Sequence, residues 1–82
     1  MPDYKRGSEA IKSGIRKVKP LVKRMNTHNL PLADQEEIMQ KIINIENDVF
    51  IKLKKLGYSN EEASEQSSGI KEVAASQVEL KR

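Results

Sequence analysis

DQEEIMQKIINIENDVFIKLKKLG, residues 34–57, decides the class of fold. Ile38, Ile42, Ile45, Val49, Leu53 and Leu56 recur every three or four residues, the period of one face of a helix. Met39, Ile43 and Phe50 form a second stripe beside the first. The combined face is wider than one neighbouring helix can cover, so it must meet two helices or a second chain. Asp34 followed by Glu37 has the spacing of a capping box, and Gly57 can take the left-handed conformation that ends a helix. These signals place a helix over about residues 33–56.

Working back from this stretch, Asn26-Thr27-His28-Asn29-Leu30-Pro31 is a connector rich in turn formers. Before it, Ile11, Ile15, Val18, Val22 and Met25 step by four and three along one stripe, which predicts a helix over about residues 8–26 capped by Ser8. Residues 1–7 read as a loose start. Pro20 lies opposite the stripe, where the missing amide leaves the Arg16 carbonyl to water. The alternative is a pair of short helices meeting at Lys19-Pro20.

Working forward, Ser59 and Glu62 make a second capping box and open a third helix over about residues 60–80. On it Ala63, Ile70, Val73 and Ala74 share one face, and Glu61, Glu65, Glu72 and Glu79 the opposite one. Ser67-Ser68-Gly69 is a weak point, because serine and glycine favour the helix poorly. A break near Gly69 and fraying after Ser76 are expected. No segment alternates with period two. The expected fold is therefore all-α: a helical hairpin completed by a third helix into a three-helix bundle, forming one domain.

The chain has 82 residues, too few for more than a thin core. Twenty are Leu, Ile, Val or Phe, above the roughly one-fifth below which chains stay disordered. With no cysteine and one histidine, stapling by disulfides or metal is closed, and self-association is the remaining route to stability. Ile38, Ile42, Ile45, Val49, Phe50 and Leu53 are expected to form the core or the oligomer contact, and a homodimer is expected over a monomer. The lack of cysteine suits a reducing cytoplasm. No apolar run approaches the length of a membrane span.

Nothing in the chain points to catalysis. His28 sits in a polar turn with no cysteine or second histidine to pair with. Glu36-Glu37 and Glu61-Glu62 occupy first turns of helices, where carboxylates suit the helix dipole. There is no glycine-rich phosphate loop, no metal-ligand spacing and no cofactor motif. The expectation is a non-enzymatic protein without cofactors.

Charge is the better functional signal. Residues 1–33 hold eight basic and two acidic groups, and residues 34–82 seven basic and ten acidic. Lys12, Arg16, Lys19 and Lys23 line one flank of the first helix; Arg6, Lys17 and Arg24 line the other. Such a face suits nucleic-acid phosphates, anionic lipid or an acidic protein surface. Single-strand binding lacks interleaved aromatics, and the apolar stripe lacks the Trp and Phe of a membrane-surface helix. Ile51, placed by helical spacing among Asn44, Asn47, Asp48 and Lys55, is the candidate apolar anchor. Glu46, between Met39, Ile43 and Phe50, is a candidate charge partner for another helix.

The corner Leu53–Ala63 resembles helix corners in the MerR-type regulators and in the C-terminal domain of the RuvA junction-binding protein. Capping chemistry accounts for most of that resemblance. As a DNA-reading corner it would aim Glu61, Glu62 and Glu65 at phosphates, the wrong sign, so nothing is carried over. The leading expectation is a small cytoplasmic regulator, adaptor or inhibitor that binds a protein partner, cytosolic or membrane-associated. Phage accessory proteins of this size offer the analogy. The alternative is a nucleic-acid-binding accessory protein using the basic first helix.

Overall fold

A computed structural model describes residues 1–26 and 29–79, the last by its backbone alone. Among the described residues the elements are α1 (Tyr4–Met25), α2 (Leu32–Lys55) and α3 (Asn60–Glu79), and each helix touches the other two. Tyr4 meets Glu62 and Gly14 faces Ile70 and Val49, while Asp3 reaches Leu56. So α1 and α3 run parallel, with α2 antiparallel to both. The expected all-α bundle is the fold.

The core follows the stripe of α2. Ile38, Ile42, Val49 and Leu53 are buried with Val18 and Val22 of α1 and with Ala63, Ile70 and Ala74 of α3. Ile45, Met39, Phe50 and Leu56 pack partly buried against them. The wide face of α2 is thus largely covered by the chain's own two helices, which removes the premise for a dimer through it. Leu32, Ile43 and Ile51 are what α2 leaves exposed.

α1 begins four residues before Ser8, the expected cap. Asp3 takes that role, its carboxylate accepting a hydrogen bond from the Arg6 amide at 3.1 Å. The cause is tertiary. The Asp3 amide donates to the Leu56 carbonyl at 2.9 Å, and Gly7 lies against the buried ring of Tyr58. A Cβ on Gly7 would collide with the Tyr58 hydroxyl and come within 2.6 Å of its Cε1. Tyr4, one turn before Gly7, also packs on that ring, edge to face with centroids 5.3 Å apart. Residues 1–7 are therefore a clasp over the α2–α3 corner rather than a loose start. Pro20 is exposed as expected and α1 runs through it as one helix.

The two predicted caps after α1 part ways. α2 starts at Leu32 behind Pro31, with no side-chain cap; the Gln35 side-chain amide donates instead to the Leu30 carbonyl at 2.9 Å. Asp34 falls in the first turn and forms no capping box, because Pro31, at φ −57° and ψ 149°, holds the N-cap position that the box would need Asp34 to occupy. The second cap forms: the Glu62 amide donates to Ser59 Oγ at 3.1 Å. Gly57, at φ +99°, provides the left-handed stop.

α3 continues through Gly69 without a break. Ser67 is buried among the apolar residues, its hydroxyl satisfied by donating to the Ser64 carbonyl at 3.2 Å. Val73 is 42% exposed, so it does not share the face of Ala63, Ile70 and Ala74. The readings of His28 and of the helix end beyond residue 79 fall outside the described residues.

Candidate functional site

The basic residues singled out on α1 come together. α1 carries eight of the fifteen Lys and Arg residues and one carboxylate, Glu9. Lys12, Arg16 and Lys23 are exposed and Lys19 is half-buried. Lys12, Arg16 and Lys19 join Ile15 and Gln77 to line an open groove between α1 and α3. The stripe thus lies on the α1–α3 side of the bundle.

Lys17 lies on the other flank, in a shallow cleft against α2 with Asp48 and Lys52. Among the described residues, ion pairs join Arg6 to Asp3 at 3.6 Å and Lys41 to Glu37 at 3.4 Å. Neither uses Lys12, Arg16, Lys19 or Lys23. A row of exposed cations without ion pairs among the described residues presents positive charge to solvent, where an anionic surface can use it.

Ile51 is half exposed, as its helical position predicts, but the structure does not bring it to this groove. Asp48 and Lys52 line the α1–α2 cleft, and Ile51 projects beyond them on the outer side of α2. The apolar residues beside the basic stripe are others. Ile15 lines the groove, and Val73 lies one turn before Gln77 on the same flank of α3. Sequence reasoning missed Val73 by placing it in the core. The usable signal was its position three residues after Ile70, which rotates it to the edge of the buried face.

α3 is the electrostatic counterpart. Glu61, Glu65 and Glu72 are exposed, and Glu61 and Glu65 line an open depression with Asn60, Ser64 and Ser68. Of Glu79 only the backbone lies within the described residues. Glu62 is held instead, accepting a hydrogen bond from the Tyr4 hydroxyl at 3.3 Å. Desolvation, then the negative charge of Glu62, push the Tyr4 phenol above its ordinary range.

Glu46 is half-buried, and burial raises its carboxyl above the usual range while the Lys71 backbone amide and then the Lys71 charge pull the other way. Lys71 donates to Met39 Sδ at 3.6 Å and forms no ion pair with Glu46. The predicted charge partner is therefore near, on α3, acting on Glu46 through its backbone and its charge rather than through an ion pair.

Among the described residues no group of three His, Cys, Asp or Glu side chains could hold a metal ion, and no helix is long and apolar enough to cross a membrane. Glu36, Glu37 and Glu61 stand exposed rather than facing one another across a cleft. What the arrangement offers chemically is charge on a firm helical face, with apolar side chains beside it. Comparisons with protein-family models, with curated proteins and with solved structures find no match for this chain.

Proposed function

We propose that this chain is a non-enzymatic regulator or adaptor, cytoplasmic, whose α1 basic stripe docks on an acidic surface of a protein partner. The observation that supports it is the run Lys12, Arg16, Lys19 and Lys23, without ion pairs among the described residues and bordered by Ile15 and Val73. Charge speeds encounter but holds weakly; residence comes from a few apolar side chains that lose water at the interface. A protein surface uses both kinds of residue. A phosphate backbone would use the lysines and arginine alone.

The test is capture from host extract with the native chain and with a variant carrying Lys12→Glu, Arg16→Glu and Lys23→Glu, each with and without nuclease. A protein retained by the native chain, insensitive to nuclease and lost with the variant supports the reading. Reconstituted with that protein, the variant should slow association, and Val73→Ser should speed dissociation. Nuclease-sensitive recovery, or a mobility shift of duplex or single-stranded probes that the same variant abolishes, overturns it in favour of nucleic acid.

A further inference from the structure

The α1–α3 side of the bundle is complementary to itself. α1 presents Lys5, Lys12, Arg16 and Lys23 there, all exposed. On α3, Glu62, Gln66, Gly69, Val73 and Gln77 follow one another at helical spacing along the flank turned to α1, and Glu65 and Glu72 stand one row further out. One helix of this side is positive and the other negative, with the exposed Val73 between them.

The two helices are also in step. Tyr4 meets Glu62 and Gly14 sits over Ile70, so a residue of α1 stands level with the α3 residue 56 to 58 positions later. Arg16 is then level with Glu72, Lys5 with Glu61 and Glu62, and Lys12 falls between the heights of Glu65 and Glu72.

A two-fold axis parallel to the helices preserves these heights. It lays α1 of one copy against α3 of the other, twice, so unlike charges meet on both halves. An axis across the helices would set α1 against α1 and repel. We propose that a second copy of this chain occupies the α1–α3 side in this parallel arrangement. Arg16 then meets Glu72 of the second copy, Lys12 meets Glu65 or Glu72 of the second copy, and the two Val73 side chains approach near the axis.

The acidic face of α3 is the kind of surface proposed above for the partner. Self-association therefore covers the docking stripe, and the chain masks itself as its concentration rises. The masking role rests on the proposed function, whereas the dimer does not. With exposed charges and little apolar area, the dimer forms fast, holds weakly and yields to salt.

The experiment needs only this chain. Sedimentation velocity follows the native protein, the basic reversal Lys12→Glu/Arg16→Glu/Lys23→Glu, the acidic reversal Glu65→Lys/Glu72→Lys, and an equimolar mixture of the two reversals. All five positions are exposed, and circular dichroism checks that each variant keeps its helix content. The native chain should self-associate at low salt, about tenfold more weakly once about 500 mM salt shortens the screening length. Each reversal alone should be monomeric, and the mixture should recover a heterodimer.

A native chain that stays monomeric at low salt and high concentration overturns the proposal and leaves the partner reading standing. So does self-association that survives the reversals but is lost in Leu32→Ser/Ile43→Ser, which would place the contact on α2. A mixture that fails to re-associate also overturns it, because general repulsion rather than matched faces would then explain the single variants. A dimer with these properties in a chain that captures no acidic protein would overturn the proposed function alone.

Discussion

The two ends of the bundle are built on different principles. At one end the first residues cross the α2–α3 corner: Asp3 is bonded to Leu56, Gly7 lies on Tyr58, and Tyr4 packs edge to face on the same ring. A single added methyl group has no room there. At the other end Met25, Leu32, Met39 and Ile43 surround an open apolar depression with Gln35, Glu36 and Gln40. Leu32 keeps 69% of its surface in solvent, and the two methionines have flexible side chains that can repack at little cost. One end is specified by close approach of backbone to ring, the other by adaptable side chains. Stability should therefore respond sharply to change at the first and hardly at all at the second.

The largest effect should come from removing the ring. Tyr58→Ala is expected to lower unfolding free energy by about 3 kcal/mol in urea denaturation, as for other buried aromatics. A loss under about 1 kcal/mol would break the comparison, because both ends would then tolerate truncation equally.

Gly7→Ala sharpens the cause. In the native background it should cost about 1–2 kcal/mol by overpacking. With Tyr58→Ala already present the same change should become stabilising, by up to about 1 kcal/mol, as alanine for glycine in an unobstructed helix. Equal effects in the two backgrounds would mean that Gly7 is not there for the ring.

Gly69 is the control for that argument. A Cβ at this position meets nothing within 4 Å, so Gly69→Ala should stabilise the dilute protein by about 0.5–1 kcal/mol. A thermal melt that moved down instead would reveal a demand on Gly69 other than space.

Glu46→Gln should give a smaller gain, and one that depends on pH. The folded carboxyl titrates above its unfolded value, so the folded state binds that proton more tightly. Its ionisation therefore costs stability above the folded value, and the cost disappears as pH falls below the ordinary glutamate range. The variant should melt higher than the native chain at pH 7, with the difference closing by about pH 4. A variant that melts lower at pH 7 would mean that the attraction of Lys71 outweighs burial.

The smallest effect belongs to the open end. Leu32→Ser should change stability by less than about 0.5 kcal/mol, the ordinary range for an exposed position.

How much of this was legible in the sequence varies with the range of the interaction. Ile38, Ile42, Val49 and Leu53 declare their face because a helix repeats every 3.6 residues and burial follows that repeat. Gly57 and Ser59 declare a stop and a start because those signals act through the backbone within a few residues. Asp34 misled because Pro31, three residues earlier, holds the N-cap position of α2. The clasp was not legible, since the register of Asp3 and Gly7 depends on Tyr58, more than fifty residues away. Gly7 and Gly14 do fall in phase with Ile11 and Val18, and glycines seven apart on a buried stripe were the available clue. The basic stripe could be drawn from helical spacing, but its neighbours on α3 could not, because they depend on whether α3 lies parallel to α1. Nor does charge carry the identity of whatever it attracts.

The clasp changes what the beginning of α1 reports about the rest of the molecule. The first turn of a helix ordinarily frays, and its amides exchange with solvent by local opening. Here the Gly7 amide, bonded to the Asp3 carbonyl at 2.9 Å, sits under a ring held by the α2–α3 corner. Freeing it requires the first turn of α1 to lift off the Tyr58 ring and break the bond from Asp3 to Leu56, which uncovers the α2–α3 corner. Its deuterium uptake should therefore track the opening of that corner rather than the fraying of one turn, and the amino-terminal turn becomes a reporter of the joint between α2 and α3.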